Sequence, residues 1–332
     1  FIAEELTTVV ANTDDYTSVL FGGSGTAAVE SVLCSVINDD ETILIINNGA
    51  YGKRMVDIAK VYGLDYLEYK SSLLDPIDYN DLDKYVQGQG KSISFLAIVH
   101  NETTAGLLNN LEQAKHFCEK HNSILIVDAM SSYAAIPIDM IKQNIGFLTA
   151  SSNKNIQGMA GISFVIAKNS YLENSSKVKP SCYYLNLYLQ YEYFKKNYQM
   201  RFTPPVQTIY ALKQAIIEAK KESVEGRYAR YSKSWETLVT GLEKLGLKVL
   251  VDKKYHSKII CTIKDPDIEG FDFDEMHDYL YERGYTIYPG KMSNLETFRI
   301  ANIGDIDYKD IKAFLKILGA YLELLRSACS IK

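Results

Sequence analysis

Lys154 is the residue of this chain whose setting most favours covalent chemistry. It stands in the polar, glycine-terminated stretch Ser151-Ser152-Asn153-Lys154-Asn155-Ile156-Gln157-Gly158, between the apolar runs Ile145–Ala150 and Gly161–Ala167. Those runs have the length and punctuation of short buried strands. A lysine held between two such strands is expected to be drawn inward. Partial desolvation disfavours its ammonium form and frees the amine to attack a carbonyl carbon. The competing reading is a solvated loop lysine, and partners elsewhere in the chain must decide between the two.

Asp128 is the first such partner. It closes the run Ile124-Leu125-Ile126-Val127, so its carboxylate ends a buried strand, where an unpaired charge is costly. It needs a cation, and Lys154, 26 residues later, could supply one as a plain structural ion pair. The second partner is Gly22-Gly23-Ser24-Gly25-Thr26, a glycine turn between an apolar strand at 17–21 and a helix from about 27 to 37. Free backbone N–H groups, the positive end of a helix dipole and two hydroxyls there make an anion cradle. Gly23-Ser24-Gly25-Thr26-Ala27-Ala28 also fits the dinucleotide pattern G-x-G-x-x-A. That pattern wants an acid at the end of the next strand, whereas the strand at 43–46 runs into Asn47-Asn48-Gly49. No Gly-Lys-Ser/Thr follows, which excludes a P-loop, and a pocket for a single phosphate remains. An arrangement that uses all three features is pyridoxal phosphate: the cradle on its phosphate, Asp128 on its protonated pyridine nitrogen, Lys154 on its aldehyde carbon.

These residues meet only if the elements between them form one sheet. Strands near 42–46, 65–69, 94–100 and 123–128 alternate with helices near 51–62, 79–87 and 110–121, which predicts an α/β fold with a mostly parallel sheet and helices on both faces. Ligands bind beyond the carboxyl ends of such strands, where the cradle, Asn101-Glu102-Thr103-Thr104, Asp128 and the Lys154 loop would converge. A tyrosine-rich helical stretch from 183 to 198 leads to Arg201-Phe202-Thr203-Pro204-Pro205, whose prolines break it. A long helix begins near Val206, and the charged region 220–230 carries the link to a smaller α+β part. There strands are expected near 247–251, 258–263, 285–288 and 297–301, with helices at 273–283 and 308–325. We divide the chain into a large domain, 1–222, holding the cofactor site, and a small domain, 223–332. The opening ten residues read as the end of an uncapped helix, so the numbering is expected to begin inside a domain.

Composition narrows the partners. A net charge of -5 without a basic stripe gives no support to nucleic acid or an anionic membrane. The five cysteines are odd in number and scattered, which argues against a disulfide framework and fits a cytoplasmic setting. No apolar run reaches bilayer length. His116 and His121 are spaced off a shared helix face, and no metal site is expected.

Seven motifs carry a resemblance that spans essentially the whole chain. They are Gly22–Thr26, Asn48-Gly49-Ala50-Tyr51-Gly52-Lys53-Arg54, His100-Asn101-Glu102-Thr103-Thr104-Ala105-Gly106, Asp128-Ala129-Met130-Ser131-Ser132, Ser152–Gly158, Phe202–Pro205 and Phe298-Arg299-Ile300-Ala301-Asn302-Ile303-Gly304. With them the chain resembles the class V aminotransferases of fold type I, pyridoxal-phosphate transferases, and among these the members that use 2-aminoethylphosphonate and pyruvate. The resemblance implies a homodimer in which Ser24, Gly25, Thr26 and Ser151 hold the phosphate and Thr203 reaches the phosphate of the neighbouring subunit. It further implies that Tyr51 stacks on the pyridine ring, Thr104 sits near the ring hydroxyl and Arg299 binds the acidic end of the substrates. From sequence alone a core tyrosine explains Tyr51 equally well. Strand alternation puts Arg299 opposite the faces of Phe298 and Ile300, as a surface charge or as a side chain reaching a cleft; Arg54, Arg201 and Lys291 are weaker candidates. Ala134-Ala135, Asn155 and Ala301 stand where the family pattern has Gly-Gly, Cys and Gly, and an upstream Thr-Pro-Gly-Pro loop is expected but does not occur. Two alternatives stay open: another class V activity with serine, alanine or glyoxylate, and a non-catalytic dimeric scaffold.

Overall fold

The computed structural model describes residues 1–290, 292 and 295–329. In chain order its elements are α1 (Ile2–Thr7), β1 (Tyr16–Gly22), α2 (Gly25–Val36), β2 (Thr42–Asn47), α3 (Ala50–Tyr62), β3 (Asp65–Lys70), α4 (Tyr79–Gln89), β4 (Phe95–Val99), and the two-residue strands β5 (Asn101–Glu102) and β6 (Leu107–Leu108). They continue with α5 (Leu111–His121), β7 (Ile124–Asp128), β8 (Ile145–Ser151), β9 (Ile162–Lys168), α6 (Asn169–Asn174), α7 (Leu187–Asn197), α8 (Val206–Glu222) and α9 (Val224–Lys244). The last are β10 (Ile260–Lys264), α10 (Phe273–Tyr281), β11 (Tyr288–Pro289), β12 (Thr297–Ala301) and α11 (Tyr308–Cys329). They fall into two compact units. The first comprises 1–72, 76–102 and 109–227, and the second 73–75, 103–108 and 228–332.

Unit 1 is built on a seven-stranded sheet in the order β1-β9-β8-β7-β4-β2-β3. Pairing is parallel from β8 through β3, and β9 alone runs the other way, antiparallel to both β8 and β1. Apolar residues on both faces make the sheet central. In β2, Ile43 and Ile45 pack toward one face with Val32, Leu33 and Val56 of α2 and α3, while Leu44 and Ile46 pack toward the other with Leu82, Phe117 and Leu212 of α4, α5 and α8. That is the two-residue alternation of a strand buried on both sides. Local signals set the helix ends: Asp78 and Asn110 cap α4 and α5 with their side chains, and Gly63 and Asn122 stop α3 and α5 in the left-handed conformation. The α/β architecture expected from the alternating pattern is the one found.

Unit 2 has a three-stranded antiparallel sheet, β10-β12-β11. Its core joins Leu238 and Leu242 of α9, Ile263 of β10, Leu280 of α10, Phe298 and Ile300 of β12, and Phe314 and Leu318 of α11. Two expected strands shrink. The 247–251 run makes one isolated bridge, Val249 to Ile263, because Val251 turns aside to pack with Ala105 and Leu107. The 285–288 strand reduces to Tyr288–Pro289, where proline offers no N–H to a ladder. In the region expected to link the two parts the chain is helical on both sides of Ser223, which sits at φ 65 between α8 and α9.

Candidate active site

The carboxyl ends of β1, β8 and β7 carry the cradle, the Lys154 loop and Asp128 on one edge of the unit 1 sheet. Asp128 ends β7, only 6% exposed, and pairs in register with Thr149 of β8. Its carboxylate accepts a 2.9 Å hydrogen bond from the Met130 N–H. Burial pushes its pKa up to about 6, against the pull of the Met130 hydrogen bond; nearby Glu102 adds to the rise, and Arg54 and Lys154 oppose it. The group is therefore a buried carboxylate with no cation bonded to it among the described residues.

Lys154 differs from expectation. The β8–β9 connection reverses the chain through Gln157 at φ 63, and the Gly158 N–H closes the turn on the Ser152 carbonyl at 2.7 Å. Asn155 and Ile156 are buried in this turn, and Lys154 is exposed. Asn155 anchors the loop: its amide donates to the Ser131 carbonyl at 2.8 Å, tying the residue after Lys154 to the turn after Asp128. Arg227, 3% exposed, grips the same residue by donating to the Asn155 carbonyl and holds Glu222 at 2.6 Å. Neither Asn155 nor Arg227 figured as a functional residue in the sequence. Arg227 falls within a charge-rich helical stretch that reads like any solvated face.

The cradle forms the N-terminus of α2, with Ser24 exposed and making no side-chain cap to the helix. The Gly23 N–H donates to the Gly161 carbonyl, fastening the turn to the start of β9. A side chain at position 25 would overlap Met130, so glycine lets the helix end rest against the turn that follows Asp128. Arg54 donates to Thr26 Oγ1 at 3.3 Å and lies 5.0 Å from the centre of the half-buried Tyr51 ring. The Tyr51 N–H donates to fully buried Glu102, over which Gly49 leaves room for no side chain. Arg54 and Glu102 thus fix the ring and the cradle, roles the sequence did not disclose. Ser151 is buried at the end of β8, and Thr203 is exposed in the loop whose Pro205 lies against Gly22.

Unit 2 brings together the other two residues. Arg299 is 7% exposed and donates to the carbonyls of Pro289, at 3.1 Å, and Thr103, at 3.3 Å, so it is no surface charge. The Thr104 carbonyl accepts from Thr262 Oγ1 at 2.9 Å, and Thr262 is the cross-strand partner of Arg299. Lys291 lies outside the described residues. Among the described residues no group of histidine, cysteine, aspartate and glutamate could hold a metal, and no helix is long and apolar enough to cross a membrane.

The donor set of unit 1 suits a flat, phosphorylated, nitrogen-protonated ligand. The α2 N-terminus and its hydroxyls could take an anion, Tyr51 lies beside them against Arg54, and buried Asp128 has no bonded cation among the described residues. The fold is that of the fold type I aminotransferases; an alanine–glyoxylate aminotransferase from Nostoc sp. superposes with a TM-score of 0.88 at 23% identity, over 97% of this chain and 85% of that one. The aminotransferase class-V profile matches residues 3–302, and the chain belongs to that family. A 2-aminoethylphosphonate–pyruvate transaminase from Phocaeicola vulgatus is 40% identical over 92% of this chain and 84% of its own length. A bifunctional phosphonoacetaldehyde hydrolase/aminoethylphosphonate transaminase from Clostridioides difficile is 38% identical over 94% of this chain, which spans about half, 49%, of that protein.

Two expectations follow. In protein stripped of ligand, a folded-state pKa of about 6 for Asp128 against the ordinary 3.8 costs about 3 kcal/mol of stability once the group ionises. The cost is full above pH 6 and vanishes as pH falls toward 4. Ligand-free Asp128→Asn should therefore be the more stable protein at pH 8 by up to about that amount, with the gap closing at pH 4 in denaturant titrations. Arg227→Met should leave the fold intact but free the Asn155 carbonyl, loosening Lys154. Turnover should fall on the order of tenfold or more, as for loss of a hydrogen bond to a charged group, with little change in KM; Arg227→Lys should recover part of it.

Proposed function

We propose that this chain is a pyridoxal-phosphate transaminase that moves the amino group of 2-aminoethylphosphonate to pyruvate, giving phosphonoacetaldehyde and L-alanine. The observation that carries the reading is the convergence of the Lys154 loop, buried Asp128 and the α2 cradle on one sheet edge, in a class V chain about 40% identical to transaminases so named. Pyridoxal phosphate would supply an electron sink and a carbonyl that accepts the amine. Ser24, Gly25, Thr26 and Ser151 would hold its phosphate, Tyr51 its ring face and Thr104 its ring hydroxyl. Asp128 would keep a proton on the ring nitrogen. Lys154 would hold the cofactor through its amine and serve as the base that takes the proton from the substrate carbon beside the departing amine.

Both substrates are anions, and Arg299 offers a planar fork able to grip a carboxylate or a phosphonate. Its two carbonyl partners orient that fork. We place the chain in the cytoplasm as a homodimer; Thr203 completing the neighbour's phosphate site accords with its exposure and with the aromatic surface formed by Tyr193, Phe194 and Tyr198 nearby.

An amine-donor screen tests the reading. With pyruvate, 2-aminoethylphosphonate should yield alanine, and borohydride reduction should label Lys154 alone. Turnover only with serine or alanine and glyoxylate would assign another class V reaction, and no turnover with any pair would make the chain a scaffold. Arg299→Ala should raise KM for both substrates by about 10- to 100-fold, as expected for a charge-assisted hydrogen bond, while the near-visible absorbance of the bound cofactor stays unchanged. Light scattering should give twice the chain mass.

A further inference from the structure

Cys34 and Cys182 are 148 residues apart in sequence, yet their Sγ atoms are in direct contact. Their approach is fixed by the backbone on both sides. Cys34 is buried on α2, the cradle helix, and the segment 181–187 runs along that helix. Ser181 Oγ donates to the Cys34 carbonyl at 2.5 Å, Ser31 Oγ and Ser35 Oγ donate to the Leu185 carbonyl at 2.7 and 3.3 Å, and the Leu187 N–H donates to Ser35 Oγ at 3.0 Å. Cys182 is half-buried and open to solvent, with Ser35 Oγ 3.7 Å from its sulfur. One sulfur is reachable and the other waits behind it.

We propose that Cys182 and Cys34 form a reactive thiol pair, attacking and resolving, which a low-molecular-weight disulfide of the glutathione type converts to an intrachain disulfide. The Cys182 thiolate attacks one sulfur of the reagent, the reagent's S–S bond breaks, and one glutathione thiolate leaves. Cys34 then attacks the Cys182 sulfur of the mixed disulfide. Its proton goes to the second glutathione as that thiolate departs, leaving two protein thiols oxidised and one reagent disulfide reduced to two thiols. The electrostatics agree: the Cys34 thiol hydrogen-bonded to it, then Ser35 and Arg201, pull the Cys182 pKa down to about 7 against burial, whereas Cys34 is held far above its ordinary value. Cys118 and Cys261, each buried and pushed up to about 12, are the inert contrast.

The test treats reduced holoenzyme with oxidised glutathione, then maps peptides without reduction. The expected result is a Cys34–Cys182 link, two fewer titratable thiols, a thermal midpoint raised by loop closure, and full reversal by dithiothreitol. Cys34→Ser should stop at a stable glutathione adduct on Cys182. Cys182→Ser should leave Cys34 unmodified. A wild-type protein, folded by circular dichroism, that accumulates the Cys182 adduct without the link, or that modifies neither cysteine, would overturn the proposal.

Discussion

A carboxylate closed into the end of a buried strand is the constraint on which unit 1 turns. Asp128 is nearly covered, takes one backbone hydrogen bond and has no bonded cation among the described residues. Leaving it ionised costs free energy that a purely structural design would avoid with an asparagine. The charge makes sense if a ligand brings the cation. Lys154, which could have neutralised it as a salt bridge, is exposed and makes no ion pair with it among the described residues, and Arg54 and Lys154 moderate the shift without abolishing it. The ion-pair reading open at the level of sequence is therefore the one the geometry disfavours.

Around that carboxylate the chain spends buried polar groups on position rather than on charge. Asn155 reaches the Ser131 carbonyl, Ser131 Oγ donates to the Asn101 carbonyl at 2.9 Å, and His100 meets Ser132 Oγ at 2.9 Å. Burial drives the His100 pKa down to about 3, so its ring is neutral and its role is to hold the turn after Asp128. Arg227 closes the set from α9. Such networks fix geometry when their members are bonded, and here they hold the base of the loop that carries Lys154.

Much of this was legible in the sequence because local chemistry and position coincided. Asp128 after four apolar residues, glycines before a helix and a polar loop between two strands each named an edge of the sheet, and the alternation of elements named the fold. What escaped notice was whatever depends on distant contacts. The apolar flanks of Lys154 predict an inward pull, but Asn155 and Ile156 take the buried side of the turn. Arg227 resembles a surface charge until α9 is packed. Cys34 and Cys182 look scattered because no spacing rule connects a helix to an extended segment so far along the chain. Glu102 was placed in its loop, yet only the absent side chain at Gly49 explains why a carboxylate can lie beneath the Tyr51 N–H.

The strand order poses a distance problem that one glycine resolves. With β9 and β8 intervening, the ends of β1 and β7 stand about 14 Å apart at the usual strand spacing. A single small ligand could not reach both from loops that simply continued their strands. The turn after β1 closes the gap by starting α2, which packs on β9 and β8, where Gly25 lies against Met130. Met130 is also the residue whose N–H holds Asp128. The cradle and the carboxylate are thereby set against one methionine, and a side chain at position 25 would have to displace the Met130 side chain. The placing of the α2 cradle beside the Asp128 carboxylate is thus a property of that contact, and the antiparallel turn into β9 brings the lysine loop to the same edge.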